Sequence, residues 1–572
     1  MTHAPRNFLV AALVALTALP LHAQNRVAGD WHGELATPIG RLMLLVTIRE
    51  SADGTRTGEM ESIDQRAGQT IPLANVAGSA DRLTFSVPAI GATYEATWND
   101  GEQAWTGTFR QGAPLPLTLK RGRPPALPVV AGLDGTWRGQ LARGTVNLRL
   151  VLNVRTSEYG TRVRLDSPDQ GVGGIEVEQF IRRSDTVRFR VPIALAEFAG
   201  VLEARSIRGT WSAPGQPDAL VTFARDSAPA SARVRTQWPI TAKGYRAEEV
   251  TFPNPAEREV TLAGTLTVPE GRGPFPAAVL ISGSGPQDRD ETLFGHKPFA
   301  VLTDHLSRGG IAVLRYDDRG VGKSTGDHSA ATSAEFATDA NAAVRYLLGR
   351  PEIDRKAIGF VGHSEGGMIA PIAAAANDRV AFLVLLAGPG TRTDQLLLSQ
   401  RRLIGLSQGM TTDQLDRAEP VLRDVFRTVR EAPDSATAAE RVRALLTDEA
   451  LERLGVTSAQ RDLVANQLAG AWMRYFLRYE PSAFLGRIRV PVLAVNGSLD
   501  RQVPPAENLA AIRSALANNP NVTVRELPGL NHLFQTARTG ALGEYETIEE
   551  TFAPSAMELI AEWILGTTGR AR

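Results

Sequence analysis

The chain has 572 residues, 43% of them hydrophobic, with 62 basic side chains against 62 acidic ones and no cysteine. That length calls for more than one domain, and the hydrophobic fraction is that of a globular protein. A balanced charge without a basic run excludes nucleic acid as an expected partner, and the lack of cysteine excludes disulfides and thiolate metal sites.

The first residues read as an address. Arg6 precedes an apolar stretch from Phe8 to Leu19, and Leu21-His22-Ala23 follows, so residues 1–23 are expected to be a signal peptide cut after Ala23. The apolar core is shorter than the ~20 residues of a membrane helix, so no span is expected in the mature chain. Export to a bacterial periplasm or the medium follows, with stability resting on packing rather than disulfides.

From Gln24 to about Arg225, alternating apolar residues broken by Gly, Asp and Asn turns predict an all-β region. It carries an internal repeat at an offset of about a hundred residues. Gly29-Asp30-Trp31-His32-Gly33-Glu34-Leu35 matches Gly135-Thr136-Trp137-Arg138-Gly139-Gln140-Leu141, and Leu83-Thr84-Phe85-Ser86-Val87-Pro88 matches Val187-Arg188-Phe189-Arg190-Val191-Pro192. Two similar β units are therefore expected at 24–122 and 133–226, joined by a Pro-rich segment and followed by a linker at 227–244. Such units look lipocalin-like, which raises a ligand cavity. The simpler and favoured reading is that Trp31 and Trp137 close two small cores; the units also offer a surface for homodimerisation.

Beyond residue 245 the pattern becomes α/β. Pro276 to Ile281 reads as a strand, and Ser282-Gly283-Ser284-Gly285-Pro286-Gln287-Asp288-Arg289-Asp290 after it as a loop able to turn an amide inward. No phosphate-binding or dinucleotide glycine motif is present, so no nucleotide cofactor is expected. Ile311 to Tyr316 reads as the next strand, running into Asp317-Asp318-Arg319-Gly320, which suits an ion-pair and turn network.

The apolar run Ala357 to Val361 leads into Gly362-His363-Ser364-Glu365-Gly366, and an alanine-rich helix follows. A G-x-S-x-G between strand and helix is a nucleophile elbow, which makes Ser364 the candidate nucleophile. A helical insertion, 391–487, separates the next strands and reads as a cap, with Trp472, Tyr475 and Phe476 as candidate pocket walls. At the end of the apolar run from Val490, Asp500 is the candidate acid, with Asp378 as runner-up. His532 is the one histidine C-terminal to Ser364 and so the candidate base. His296, His305 and His328 read as structural or peripheral, His296 being the one with a chance of touching substrate. Acyl transfer also needs oxyanion donors, and the backbone N–H groups of Glu365 and of Ser284, with Gly285 as its neighbour, are the candidates.

Taken in order, Gly283 to Asp290, Arg315 to Ser324, Gly362 to Gly366, Asn496 to Asp500 and Asn531-His532 resemble the α/β-hydrolase superfamily. More narrowly, they are similar to bacterial serine carboxylesterases with an N-terminal β domain. The resemblance spans residues 245–566. It implies a mostly parallel sheet with helices on both faces, and hydrolysis of a small-molecule carboxylic ester through an acyl-enzyme without metal or cofactor. Two other readings compete: a serine peptidase or aminopeptidase on the same fold, and a ligand-binding β protein with a secondary hydrolase domain.

Overall fold

A computed structural model of the protein describes residues 26–570 apart from 38–39, 67–68, 91, 112, 144–145, 168–171, 214–217, 227–234, 240–243, 457, 459–460 and 546. The expected signal peptide lies outside the described residues.

Alternation of apolar and polar residues drives each N-terminal repeat into an antiparallel meander of nine strands whose first and last members pair. In the first unit Gly29–Thr37 lies between Gly40–Glu50 and Ala113–Arg121. In the second, Gly135–Arg143 lies between Val146–Ser157 and Ala219–Arg225. The repeat extends to side chains. The Trp31 indole N–H donates to the Val27 carbonyl and that of Trp137 to the Leu133 carbonyl, at 2.9 and 2.8 Å. Arg121 and Arg225 cover the two rings at 5.0 and 5.4 Å. Trp31, Tyr94, Trp105 and Phe109 fill one barrel-like interior; Trp137, Phe189, Phe198 and Phe223 fill the other. These are packed cores.

The two units meet through a buried ion-pair cluster. Asp64 holds Arg162 at 2.9 Å and Arg164 at 3.2 Å, its side chain 7% exposed and theirs 12% and 10%. Leu45, Ile63 and Tyr159 form an apolar patch there.

The C-terminal part is an eight-stranded sheet. Its strands are β1 (Tyr245–Pro253), β2 (Thr261–Pro269), β3 (Phe275–Ile281), β4 (Ala312–Tyr316), β5 (Ile353–His363), β6 (Leu383–Leu386), β7 (Val492–Gly497) and β8 (Val522–Leu527). They lie in the order β1-β2-β4-β3-β5-β6-β7-β8, antiparallel as far as the β2/β4 pair and parallel from β4 onward. The central strands are apolar on both faces because helices cover both. Ser333–Leu348, Gly366–Ala375 and Pro505–Ala515 pack on one side, Pro298–Arg308 and Pro554–Thr567 on the other. The winding reverses between β3 and β5, which opens a crevice at their C-terminal ends.

Between β6 and β7 the chain leaves the sheet as helices running from Thr393–Ser407 to Pro481–Leu485. They carry their own apolar core of Val425, Phe426, Val429, Val442, Leu446 and Leu477, which makes the insertion a packed cap. The described stretch 235–239 of the expected linker is more than a spacer. Arg235 donates to the Ile548 carbonyl at 2.7 Å, and the Gln237 side-chain oxygen accepts from the N–H groups of Thr551 and Phe552.

Removing the Asp64 carboxylate leaves two guanidinium groups facing each other in a largely buried interface. Asp64→Ala is therefore expected to lower the calorimetric transition of the β region by about 5 °C or more and leave that of the sheet domain in place. Equal movement of both transitions would show that the cluster does not act on the β units alone.

Candidate active site

Ser364 stands at the turn between β5 and the helix Gly366–Ala375 with φ +53°, in the left-handed region that a side chain makes unfavourable. Such a conformation costs on the order of 1–3 kcal/mol and persists only where its surroundings enforce it. Here the Ser364 N–H donates to the Leu386 carbonyl at 2.8 Å, and the Ser364 carbonyl accepts from the Gly367 N–H at 2.9 Å. Glycine is required at two flanking positions. A Cβ at 362 would lie 2.0 Å from the Gly366 carbonyl oxygen, and one at 366 would lie 2.1 Å from the Ile281 carbonyl oxygen.

The loops after β7 and β8 bring Asp500 and His532 to the same edge. Oδ1 of Asp500 accepts from the Gln502 and Val503 N–H groups, both at 2.8 Å, while Oδ2 faces His532 Nδ1 at 2.8 Å. Both side chains are buried. A carboxylate only accepts, so the neutral tautomer that fits this contact carries its proton on Nδ1 and leaves Nε2 as the acceptor. Asn531 shapes the histidine loop by accepting from the Leu533 and Gln535 N–H groups at 3.0 Å. Asp378, the runner-up acid, is exposed after the helix Gly366–Ala375, and the partner of His532 is Asp500.

Ser364 and His532 line one cavity of about 390 Å³, and so do Ser284, Glu365, Trp472 and Phe476. The loop after β3 is pinned at both ends by Asp318, which accepts from the Ser282 hydroxyl at 2.7 Å and the Gln287 N–H at 3.0 Å. Burial drives the Asp318 carboxyl well above the usual range. Among the described residues, the N–H groups of Ser284 and Glu365 donate to no backbone carbonyl. Around them lies the ion-pair network expected from the sequence, with Asp317 on Arg289 at 2.8 Å and Arg319 on Asp339 at 2.7 Å.

Of the three cap aromatics expected as pocket walls, Trp472 and Phe476 take that position, stacked with ring centroids 5.0 Å apart. Tyr475 is not among the lining residues; it packs on the apolar cluster of Met368, Leu396 and Tyr479. His296 is fully buried outside the cavity, with Nδ1 on the Thr551 hydroxyl and Nε2 on the Tyr545 carbonyl.

Three further roles were not visible in the sequence. His363 Nδ1 faces Glu291 Oε1 at 2.9 Å, and its Nε2 faces the His532 carbonyl oxygen at 2.9 Å. Burial works against a charge on His363, yet the Glu291 carboxylate, with the His532 carbonyl and Asp500, outweighs it and raises the pKa. The Glu365 side chain accepts from the Ser333 hydroxyl at 2.6 Å and the Trp472 indole N–H at 2.8 Å, tying the cap to the elbow. Burial raises its pKa. His363 and Glu365 flank the serine in the motif, but nothing local announces partners 72 and 107 residues away.

A sheet of this strand order, with a strained serine turn after its central strand and a helical insertion above, makes the C-terminal part of the chain an α/β-hydrolase. Residues 297–536 match the family described as serine aminopeptidase, S33. Esterase EstD of Thermotoga maritima is 27% identical over 326 residues, covering 56% of this chain and 69% of that protein. Among solved structures, the α/β hydrolase GrgF from Penicillium is 20% identical, with a TM-score of 0.36 over 57% of this chain and 99% of that one. An esterase of Pyrococcus furiosus is 15% identical, with a TM-score of 0.35 over 56% and 90% of the two chains. By fold the C-terminal part is an α/β-hydrolase, and in sequence it is similar to an esterase and to the S33 family.

Because burial raises the Glu365 pKa, the folded protein keeps a proton that the unfolded chain has already lost. The stability this confers is fully present below the ordinary carboxylate range and is lost as pH rises through the folded value. Glu365→Gln keeps an acceptor for Trp472 and Ser333, so it is expected to flatten the decline in melting temperature as pH rises above the ordinary carboxylate range. An unchanged slope would mean that the buried carboxyl is already ionised.

Proposed function

We propose that the protein is an exported serine hydrolase that cleaves carboxylic esters of small, uncharged molecules. The observation that carries this reading is the His532–Asp500 pair, 2.8 Å apart, opening on the same cavity as a serine held at φ +53°. In the proposed reaction Ser364 Oγ attacks the acyl carbon while His532 Nε2 takes its proton, and Asp500 stabilises the imidazolium that forms. The oxyanion is received by the N–H groups of Ser284 and Glu365. His532 then gives the proton to the departing alcohol, and a water deprotonated by the same base releases the acid from Ser364.

Substrate class follows from the lining. Leu293, Phe294, Leu396, Leu397, Trp472 and Leu542 are apolar, and no Lys, Arg or Asp is among the described lining residues. Its two carboxyl groups are engaged, Glu291 against His363 and Glu365 with Ser333 and Trp472. A peptide α-amine therefore meets no free carboxylate, and an anionic substrate meets no Lys or Arg among the described lining residues, the His363 ring being paired with Glu291. This favours an ester over the aminopeptidase activity in the matching family's description, in line with the esterase name of the Thermotoga relative. The packed interiors of the β units favour chemistry in the sheet domain. Export rests on Arg6, the apolar stretch after it and Ala23; among the described residues no helix is long and apolar enough to cross a membrane.

p-Nitrophenyl esters from acetate to palmitate, run beside aminoacyl p-nitroanilides, test the reading. Ester turnover is expected, with Ser364→Ala abolishing it and Asp500→Asn lowering kcat by about ten-thousandfold. Anilide turnover without ester turnover would replace the esterase with an aminopeptidase.

A further inference from the structure

We propose that Glu291 and His363 form a single positioning unit that fixes the oxyanion loop and the backbone of His532 against each other across the nucleophile strand. The inference rests on the reading of Ser364 as nucleophile and His532 as base.

Geometry makes the unit continuous. Glu291 Oε1 accepts from the Gly283 N–H at 2.7 Å, inside the loop after β3, and from His363 Nδ1 at 2.9 Å. On its other side the His363 ring reaches the His532 carbonyl oxygen at 2.9 Å. Glu291 is 2% exposed and His363 6%, so neither group exchanges its partners for water. A carboxylate and a carbonyl both only accept, so both ring nitrogens of His363 carry protons and the ring is a cation balanced by Glu291. His363 ends β5 and immediately precedes Ser364. One side chain therefore ties the nucleophile's own strand to the loop that presents Ser284 and to the loop that presents the base.

Two consequences bear on catalysis. The Gly283 N–H is consumed by Glu291, so the Ser282–Gly283 peptide, the one immediately before the peptide that carries the Ser284 N–H, is held in one orientation. The loop also lies directly against the nucleophile, since a Cβ on Gly283 would come within 3.3 Å of the Ser364 Cβ and 3.2 Å of Glu291 Oε1. Small displacements there are expensive, because misplacing a reacting group by about 1 Å can cost about a hundredfold in rate. Charge matters as well. The rings of His363 and His532 are 4.8 Å apart, so an unbalanced cation on His363 would oppose protonation of His532 in the transition state. The titratable groups that face His363 are Glu291 from the loop after β3, Asp500 from the loop after β7 and His532 from the loop after β8. Glu291 supplies the balancing charge at the shortest range.

The test is the rate at which a fluorophosphonate labels Ser364 in the purified full-length protein, measured for wild type, Glu291→Gln, His363→Phe and the double variant. Labelling forms the Ser364 Oγ–phosphorus bond, expels fluoride and passes the serine proton to His532, so it reads nucleophile, base and oxyanion donors without a known substrate. Each single variant is expected to be labelled about tenfold or more slowly, with the double variant no slower than the worse single one, because both residues belong to one unit. For any ester that turns over, kcat is expected to fall while KM stays within about twofold. Labelling of either single variant at the wild-type rate, or losses that multiply in the double variant, would overturn the proposal. Should His363→Phe not fold, the labelling rate of Glu291→Gln alone decides. A wild-type protein that is not labelled at all would instead defeat the serine-hydrolase reading itself.

Discussion

Everything in the sheet domain that handles chemistry is organised around one close approach of backbone to backbone. Where β3 ends and β5 turns into its helix, the Ile281 carbonyl, Gly362 and Gly366 crowd so tightly that any Cβ there would sit about 2 Å from an oxygen. No side chain fits, and that is what forces Ser364 into a left-handed conformation and lifts it above the sheet. The same crowding sets the loop after β3 against the serine, so donor and nucleophile come from strands that are neighbours in space and far apart in sequence. The crossing of the winding between β3 and β5 supplies the crevice in which all of this faces outward.

Around that contact the structure sorts its buried acids by their surroundings. Asp500 accepts from two backbone N–H groups and from an imidazole, and Glu291 is matched by a cationic ring. Asp318 and Glu365 instead meet hydroxyl, indole and backbone N–H donors, and burial keeps their carboxyls high in pKa. The first pair of acids faces imidazoles, and the second pair fastens loops: Asp318 holds the turn after β3, and Glu365 holds the cap helix Ala471–Arg478 through Trp472. Four acids within one region thus do different work, each set by the donors around it.

Much of this was legible in the chain itself. Period-two alternation and the matched tryptophans revealed two β units, and Trp31 and Trp137 occupy equivalent positions down to the arginine over each ring. Apolar runs located β3 and β4 to within a residue, because strands covered on both faces are written as unbroken hydrophobic stretches, whereas the run Ala357 to Val361 marked only part of β5. Ser364, Asp500 and His532 could be nominated because each follows such a run. What stayed hidden were the cross-connections. Nothing near Glu291 marks it as the partner of His363, and Glu365 sits in the motif for its backbone while its side chain serves the cap. Helical spacing placed Trp472, Tyr475 and Phe476 on one helix but could not say that only the first and last reach the cavity.

The short stretch around Gln237 changes what counts as the catalytic domain. By composition the sheet domain begins near Tyr245, yet Gln237 satisfies the N–H groups of Thr551 and Phe552, and Arg235 caps the Ile548 carbonyl. Thr551 in turn meets His296, whose other nitrogen meets the carbonyl of Tyr545, and the Tyr545 hydroxyl accepts from Gln502 beside Asp500. Phe552 stacks on Phe534 in the histidine loop. Residues upstream of the first strand of the sheet are thus part of the packing around the His532 loop. The packing around the candidate base reaches back at least to Arg235, ahead of the apparent domain boundary.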